Sequence, residues 1–340
     1  VNTKKQKVAV IRLSSLGDVV LSSAVLDPLH AAGYEVSFIT KKAFAPLLEQ
    51  HPAVTEIYAY EKGSSEAAAR EQFFSWFEAR DFAFVIDLHD SWRTWFWRWR
   101  LKKRAPVYVA QKERLREWLI FFARLGRFVG FRRGGRALKF RRIALDALSA
   151  KGILVPNSAS LTRLFLGAQE EQKMAALLPP GDFAVLLPGS AWKGKEWPHF
   201  AELGKLLARK VPVVVLGGEK DFVCDEIALA SGGLSLRGRT TLRESMAVIA
   251  KARWVIGNDT GMVHVAEALG KDVAMIEGPT HEYMGFSPYR ERSVLLGLPL
   301  LCRPCSKTGK FCPRFGTRKC LWDLSVSRVA EVLRSRAYPC

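Results

Sequence analysis

The sequence predicts an α/β protein made of two doubly wound, Rossmann-like halves, each a parallel sheet with helices on both faces. Three observations lead there. Short β-prone apolar runs alternate with stretches of helical periodicity, and the alternation occurs twice along 340 residues. The strand candidates end in loops rich in Gly, Ser, Asp and Asn, as at 14–18, 188–196, 217–221 and 257–261. Apolar content of 49% and a mean hydropathy of zero are those of a globular chain, and no run of about twenty apolar residues reads as a membrane span.

The elements follow in order. Residues 7–13 are a buried-type strand, and the loop Ser14-Ser15-Leu16-Gly17-Asp18 leads to helical periodicity over 19–32, stopped by Gly33. The basic start, Lys4-Lys5-Gln6-Lys7, before an apolar run has the look of a signal peptide. The run is short and broken at Arg12, so a first strand and a cytoplasmic protein are expected. Strands at 35–40 and 56–60, a short helix at 44–50, a helix at 66–80 and a strand at 82–88 complete the first half. Residues 153–166, with Pro156, read as a strand and connection, which puts the domain boundary near 168. The second half repeats the pattern: strands at 183–187, 211–216, 235–237, 254–256 and 273–276, with helices at 199–209, 222–230, 242–252 and 262–269. The tail, 326–336, is an amphipathic helix. The expected domains are 1–168, 169–325 and a C-terminal helix within 326–340.

A net charge of +19 calls for an anionic partner: nucleic acid, a membrane surface or a phosphorylated substrate. The charge is concentrated. Residues 91–142 hold 17 Lys and Arg against Glu113 and Glu117, or +15, interleaved with Trp92, Trp95, Trp97, Trp99, Trp118, Phe121, Phe122, Phe128 and Phe131. An aromatic core with solvated arginines is the plainer alternative.

The most informative stretch is Trp254-Val255-Ile256-Gly257-Asn258-Asp259-Thr260-Gly261-Met262-Val263-His264. A strand turning sharply into a helix leaves backbone N–H groups free at the helix start, where the dipole favours an anion such as phosphate. Asp259, Thr260 and His264 add a carboxylate, a hydroxyl and an imidazole; a simple capped turn is the alternative. The loop at 14–18 has neither G-x-G-x-x-G nor a P-loop lysine, so a dinucleotide fingerprint and an NTPase are both unsupported. Gly17 there allows close backbone approach, and Asp18 stands at a helix mouth as either a functional carboxylate or a cap. In 188–198, Ser190, Lys193 and Lys195 sit at a strand end, where Lys195 suits the charge that builds on a departing diphosphate. Glu219, after two glycines, is placed to accept from ribose hydroxyls. Cys302, Cys305, Cys312 and Cys320 form C-x2-C-x6-C-x7-C, spacing like a zinc knuckle, with a compact loop of reduced thiols as the alternative.

Three segments in this order resemble glycosyltransferase family 9, the heptosyltransferases: residues 11–19 through Ser15, Gly17 and Asp18, residues 188–198 through Lys195-Glu196-Trp197-Pro198, and Gly257-Asn258-Asp259-Thr260-Gly261 to His264. The resemblance implies a GT-B fold, an N-terminal domain for the acceptor, a C-terminal domain for ADP-heptose, and a last helix that packs back on the N-terminal domain. It implies inverting transfer of L-glycero-D-manno-heptose to the inner core of lipopolysaccharide. Asp18 then matches the general base, with Ser15 and Gly17 in its acceptor loop. Ser190 and Lys195 match residues near diphosphate and ribose, Glu219 a ribose contact, and Asp259 a ligand of heptose hydroxyls. The N–H groups of Thr260 and Gly261 would hold the β-phosphate, with His264 one turn on; Thr240 falls near adenine by spacing alone. No metal or other cofactor is required by the resemblance. Its paired hydroxyls become Ser190-Ala191 here, and the Pro-Gly form of that loop leans towards the enzymes adding the second heptose rather than those acting on Kdo. The basic aromatic segment 91–142 then suits a lipid A–Kdo/heptose acceptor at the inner leaflet, with a monomer and no nucleic acid expected. A nucleotide-sugar epimerase and a basic nucleic-acid-binding protein remain the other readings.

Overall fold

Val8, Ala9, Val10 and Ile11 are all fully buried, so the first strand is apolar on both faces and needs cover on each. The computed structural model, which describes residues 5–61, 65–121, 126–131, 133–156, 160–310, 312–313 and 316–340, puts that strand in the middle of a sheet. Two compact units divide the chain. The first is Val1–Glu113 with Arg136–Phe165, and the second is Arg114–Gly135 with Leu166–Cys340.

In the first unit the elements are β1 (Lys7–Ile11), α1 (Leu16–Ser22), α2 (Leu26–Ala31), β2 (Glu35–Lys41), β3 (Val54–Tyr60), α3 (Glu66–Glu78), β4 (Phe82–Asp87), α4 (Trp92–Leu101) and β5 (Val107–Val109). Among the described residues the strands are parallel in the order β3-β2-β1-β4-β5. Helices α5 (Arg114–Phe121) and α6 (Gly126–Val129) come next, and α7 (Gly135–Ser149) returns to the first unit. The second unit continues with α8 (Ala168–Ala175), β6 (Ala184–Leu187), α9 (Phe200–Ala208), β7 (Val213–Val215), α10 (Val223–Ser231), β8 (Leu234–Ser235), α11 (Leu242–Lys251), β9 (Trp254–Asn258), α12 (Gly261–Ala268), β10 (Val273–Ile276), β11 (Val294–Leu296), α13 (Lys319–Trp322) and α14 (Val326–Arg334). Its parallel order is β11-β10-β9-β6-β7-β8. Strand order reverses between β1 and β4 in one sheet and between β6 and β9 in the other. Loops leaving those strands diverge to opposite faces and open a crevice at the strand ends. The loops at 12–18, 188–196 and 258–261 all leave such strands.

Several expectations need correction. The helix expected over 19–32 is α1, a 3-10 turn at Ser23–Val25 and α2, because Pro28 has no N–H to continue the first helix and is tolerated only in the first turn of the next. The short helix at 44–50 is a 3-10 turn, Lys42–Leu47, containing Pro46. No strand forms at 153–166 among the described residues. Residues 114–135, placed by sequence in the N-terminal domain, pack in the second unit. There Phe131 N–H donates to Tyr283 O at 2.8 Å, and Arg133 donates to Pro288 O at 2.9 Å and Ser293 O at 2.6 Å. The helix of 326–340 was expected against the N-terminal domain. Its buried face, Val326, Val329, Ala330 and Leu333, instead joins the core of the second unit with Leu203 and Leu207 of α9, and Lys210 Nζ donates to Cys340 O at 2.9 Å. An amphipathic stripe specifies that a face is buried, not what buries it.

Candidate active site

In the first unit, β1 runs into Arg12 and a turn capped by Ser15, and α1 starts at Leu16. Asp18 is at the third helical position, so Ser15 and Asp18 form a capping box. The Ser15 amide and hydroxyl donate to Asp18 Oδ2 at 3.3 and 3.0 Å. The same oxygen takes an ion pair from Arg12 at 2.7 Å. Asp18 Oδ1 is buried and has no hydrogen-bond partner among the described residues. Burial is the largest influence on this carboxyl and would raise its pKa. Arg12 first, then Arg136 and the two Ser15 bonds, more than offset it, and the pKa is lowered. The group is thus a carboxylate whose ionised form is favoured, with one oxygen fixed and one without a hydrogen-bond partner among the described residues. The cap considered for Asp18 is present, and the same side chain keeps its second oxygen outside the capping box. His89, in the loop after β4, belongs to the same cluster: burial first, then Arg12 and Lys112, push it down to about 3 against the pull of Asp18, so the ring is neutral. Arg12 also donates to Leu88 O, which ties the two switch-point loops together.

In the second unit the structure joins residues that the sequence offered separately. Lys195, in the 3-10 turn Lys193–Lys195, pairs with Asp259 at 2.7 Å, with side chains only 13% and 8% exposed. Thr280, from the loop after β10, donates to the same Asp259 oxygen at 2.7 Å. Burial would raise the Asp259 pKa, but Lys195, Thr280 and then His264 bring it below the ordinary carboxylate value. Thr260 is the N-cap residue of α12 but its hydroxyl makes no capping bond, so it does not close the first-turn amides from Gly261 onward. They stay available to an anion. His264 lies one turn inside and is buried. Gly257 has no room for a Cβ, which would sit 2.8 Å from Leu187 and 2.9 Å from Val263, so this strand–helix turn packs flush on β6.

Beside α12 is a cavity of about 180 Å³ lined by Gly189, Gly217, Asp221, Thr240, Ser245 and Thr260, among others. Thr240 Oγ1 and Ser245 Oγ are 2.8 Å apart on its wall. A Cβ at Gly189 would collide with the Asp221 carboxylate, which accepts from Gly218 N–H at 2.8 Å. Ser190 adjoins this wall and its hydroxyl accepts from Trp192 N–H at 3.3 Å. Glu219 adjoins it on the other side and is exposed.

Four supporting residues escaped the sequence reading. Arg12 was visible only as a lone cation at a buried strand end. Asn258, fully buried, receives Trp197 N–H at 3.1 Å and donates to Pro188 O at 2.5 Å, tying the 188–197 loop to β9. Thr280 and Arg303 carried no local signal. Arg303 donates to Gly278 O, Leu298 O and Thr280 O and pairs with Glu277, and thereby shapes the loop that presents Thr280. Burial pushes Glu277 up to about 7 despite Arg303.

The cysteine segment, whose spacing left a zinc knuckle or a compact loop of reduced thiols open, packs against the lysine turn. Among the described residues no group of three or more His, Cys, Asp or Glu side chains is arranged to hold a metal ion. Cys302, Cys305, Cys312 and Cys320 are free thiols. Cys320 packs in the apolar core, Cys305 points its sulfur at Pro279 O, and burial, then the neighbouring thiols, push Cys305 up to about 11. The segment braces the lysine turn: Gly309 packs backbone to backbone on Gly194, and Lys310 Nζ sits 4.3 Å over the Trp192 ring.

A model of the family described as Glycosyltransferase family 9 (heptosyltransferase) matches residues 72–314. The chain belongs to this family. It is therefore a glycosyltransferase, and Ser190, Lys195, Glu219, Thr240, Asp259, Thr260, Gly261 and His264 lie inside the matched span, whereas Asp18 lies before it. Lipopolysaccharide heptosyltransferase 1 of Pseudomonas aeruginosa is 27% identical, with 94% of this chain and 91% of that protein covered. Lipooligosaccharide heptosyltransferase 2 of Haemophilus ducreyi is 28% identical over 49% of this chain and 51% of its own length. The structure of the Escherichia coli ADP-heptose lps heptosyltransferase II superposes with a TM-score of 0.73 at 19% identity, covering 97% of this chain and 98% of that one. The two Rossmann-like units are those of the GT-B fold. No helix among the described residues is long and apolar enough to cross a membrane.

Proposed function

We propose that this family 9 enzyme transfers a heptosyl group from ADP-heptose to the inner core of lipopolysaccharide with inversion at the anomeric carbon. The observation that carries the mechanism is Asp18: an ionised carboxylate at a sheet's switch point, with one oxygen anchored by Ser15 and Arg12 and the other unsatisfied. In the reaction Asp18 takes the proton of the acceptor hydroxyl as that oxygen attacks the anomeric carbon. The bond from that carbon to the diphosphate oxygen breaks, and ADP departs. The amides of Thr260 and Gly261 and the Lys195 ammonium receive the charge on the leaving diphosphate. Thr240 and Glu219, on and beside the cavity wall, serve adenine and ribose, with Ser190 near the diphosphate. Asp259 accepts from heptose hydroxyls.

Relatives of both the first- and second-heptose types are similar to this chain. The Pro188-Gly189 form of the loop favours the second-heptose reading. The acceptor is then a phosphorylated glycolipid, and the enzyme works as a peripheral protein at the cytoplasmic face of the inner membrane. The deciding experiment incubates the enzyme with ADP-heptose and two truncated cores, one ending in Kdo and one in a single heptose, and reads product mass. One added heptose on the heptose-ended core is expected. Addition to the Kdo-ended core alone would reverse the choice of type. Donor turnover without any acceptor would replace transfer with epimerisation.

A further inference from the structure

The segment 91–142 is not uniformly a surface, and the structure sorts its aromatics. Trp97 is buried and stacks on Phe73 with ring centroids 4.5 Å apart, which nails α4 to the first unit. Trp92, Trp95, Phe96 and Trp99, spaced i, i+3, i+4 and i+7, project from the opposite side and are 69%, 62%, 58% and 71% exposed. One helix thus shows water a continuous aromatic ridge, a feature that monomeric surfaces rarely leave without a partner.

The charges around the ridge are divided as well. Arg93, Arg98 and Arg100 are occupied by Glu66, Asp90 and Glu78. Lys102 and Lys103, exposed at the C-terminal end of α4, have no carboxylate partner among the described residues, and Lys103 Nζ lies 3.9 Å over the Trp99 ring. The ridge is closed on itself: Phe96 meets Trp92 and Trp95 edge to face, at 6.4 and 5.0 Å. Arg93 covers a face of Trp92. Bases stack on open, flat ring faces, whereas an apolar ridge with a cationic border matches the boundary between acyl chains and anionic headgroups.

We infer that the face Trp92–Trp95–Phe96–Trp99 of α4, bordered by Lys102 and Lys103, docks the enzyme on an anionic phospholipid bilayer, with the aromatic rings at headgroup depth and the lysines over the lipid phosphates. This deepens the membrane-acceptor reading. Its test uses vesicles free of lipopolysaccharide, so docking and heptosyl transfer fail independently.

The experiment is flotation of the full chain with vesicles of phosphatidylcholine alone and of phosphatidylcholine with phosphatidylglycerol. Wild type is expected to float with the anionic vesicles and less with the neutral ones. The variant Trp92→Ser/Trp95→Ser/Phe96→Ser/Trp99→Ser should stay down while its far-UV circular dichroism and cooperative thermal unfolding match wild type, which verifies the fold of the unit that carries α4, and while ADP affinity, a property of the other unit, is unchanged. Lys102→Gln/Lys103→Gln should lose about 25-fold on anionic vesicles, at about fivefold per cation near such a surface. Should the aromatic variant not fold, brominated lipid must still quench wild-type tryptophan fluorescence. The inference is overturned if wild type ignores anionic vesicles or if the folded aromatic variant floats as well as wild type. It is equally overturned if the variant's only deficit is loss of a wild-type dimer or of binding to single-stranded RNA.

Discussion

Replacing Lys195 by methionine removes one partner of the buried pair that organises the second unit's loop. Nζ lies 2.7 Å from Asp259 Oδ2. At an effective dielectric of about 20 the attraction is about 6 kcal/mol, and the desolvation of both groups offsets a large part of it. Loss of one partner is still severe, because Asp259 is left charged, buried and held chiefly by Thr280. A penalty of about 3–5 kcal/mol is expected. For a unit of about 150–250 residues that corresponds to a melting temperature lower by roughly 6–20 °C. Adding Asp259→Asn removes the stranded charge, so the double variant should recover about half of the loss, with a coupling of at least ~1.5 kcal/mol. The pH dependence has a definite sign. In the wild type the folded Asp259 pKa is depressed below 3.8, so its contribution is full above 3.8 and is lost as pH falls through the depressed value. Without Lys195, burial raises the folded pKa above 3.8, and protonation relieves the penalty on acidification. The stability deficit of Lys195→Met should therefore shrink between about pH 7 and about pH 4. Thermal unfolding of the four proteins of the cycle, each at both pH values, measures this. Additive effects, or a deficit independent of pH, would refute the reasoning.

Asp18→Asn keeps the size of the side chain and removes the base, so the transfer rate should fall about 10²–10⁴-fold while calorimetric ADP affinity is unchanged. A near-normal rate sinks the assignment. Arg12→Met should move the acid limb of the rate profile upward, since burial then acts on Asp18 with less opposition; an unmoved limb would mean that Arg12 does not hold the carboxylate. Gly194→Ala drives a Cβ into the Gly309 carbonyl, backbone against backbone. It should cost about 1–3 kcal/mol and displace the Lys195 turn, so weaker ADP binding by calorimetry is expected, and unchanged binding would show that the cysteine segment does not support that turn.

The strand–loop–helix alternation of both halves was legible because buried parallel strands are apolar on both faces and their helices carry 3.6-residue periodicity. Thus β1, β2, β4, β6, β9 and β10 lie where the patterns put them. Val107–Val109 was hidden by the basic residues on either side, and β11 is three residues in a run with no alternation. The glycines at 189, 257 and 261 and the carboxylates at 18 and 259 stood out because strand-to-helix turns tolerate few residue types. Neighbouring residues gave no role to Arg12, Asn258, Thr280 or Arg303, each of which makes a contact more than twenty residues away along the chain: Arg12 with Leu88, Asn258 with Trp197, Thr280 with Asp259 and Arg303 with Glu277.

From the sequence alone follow two doubly wound sheets, with glycine- and carboxylate-bearing loops at their strand ends, and a cationic aromatic segment. Those properties rest on periodicity, turn chemistry and charge, all of which act between near neighbours. Tertiary structure alone decided that Lys195 and Thr280 converge on one oxygen of Asp259 and that the cysteine segment braces a lysine turn. It alone decided that 114–135 and α14 belong to the second unit, and that of the four tryptophans in α4 one is core and three face water. Each of these depends on which distant surface covers a residue, and a pattern of apolar and charged side chains states the need for cover without naming what supplies it.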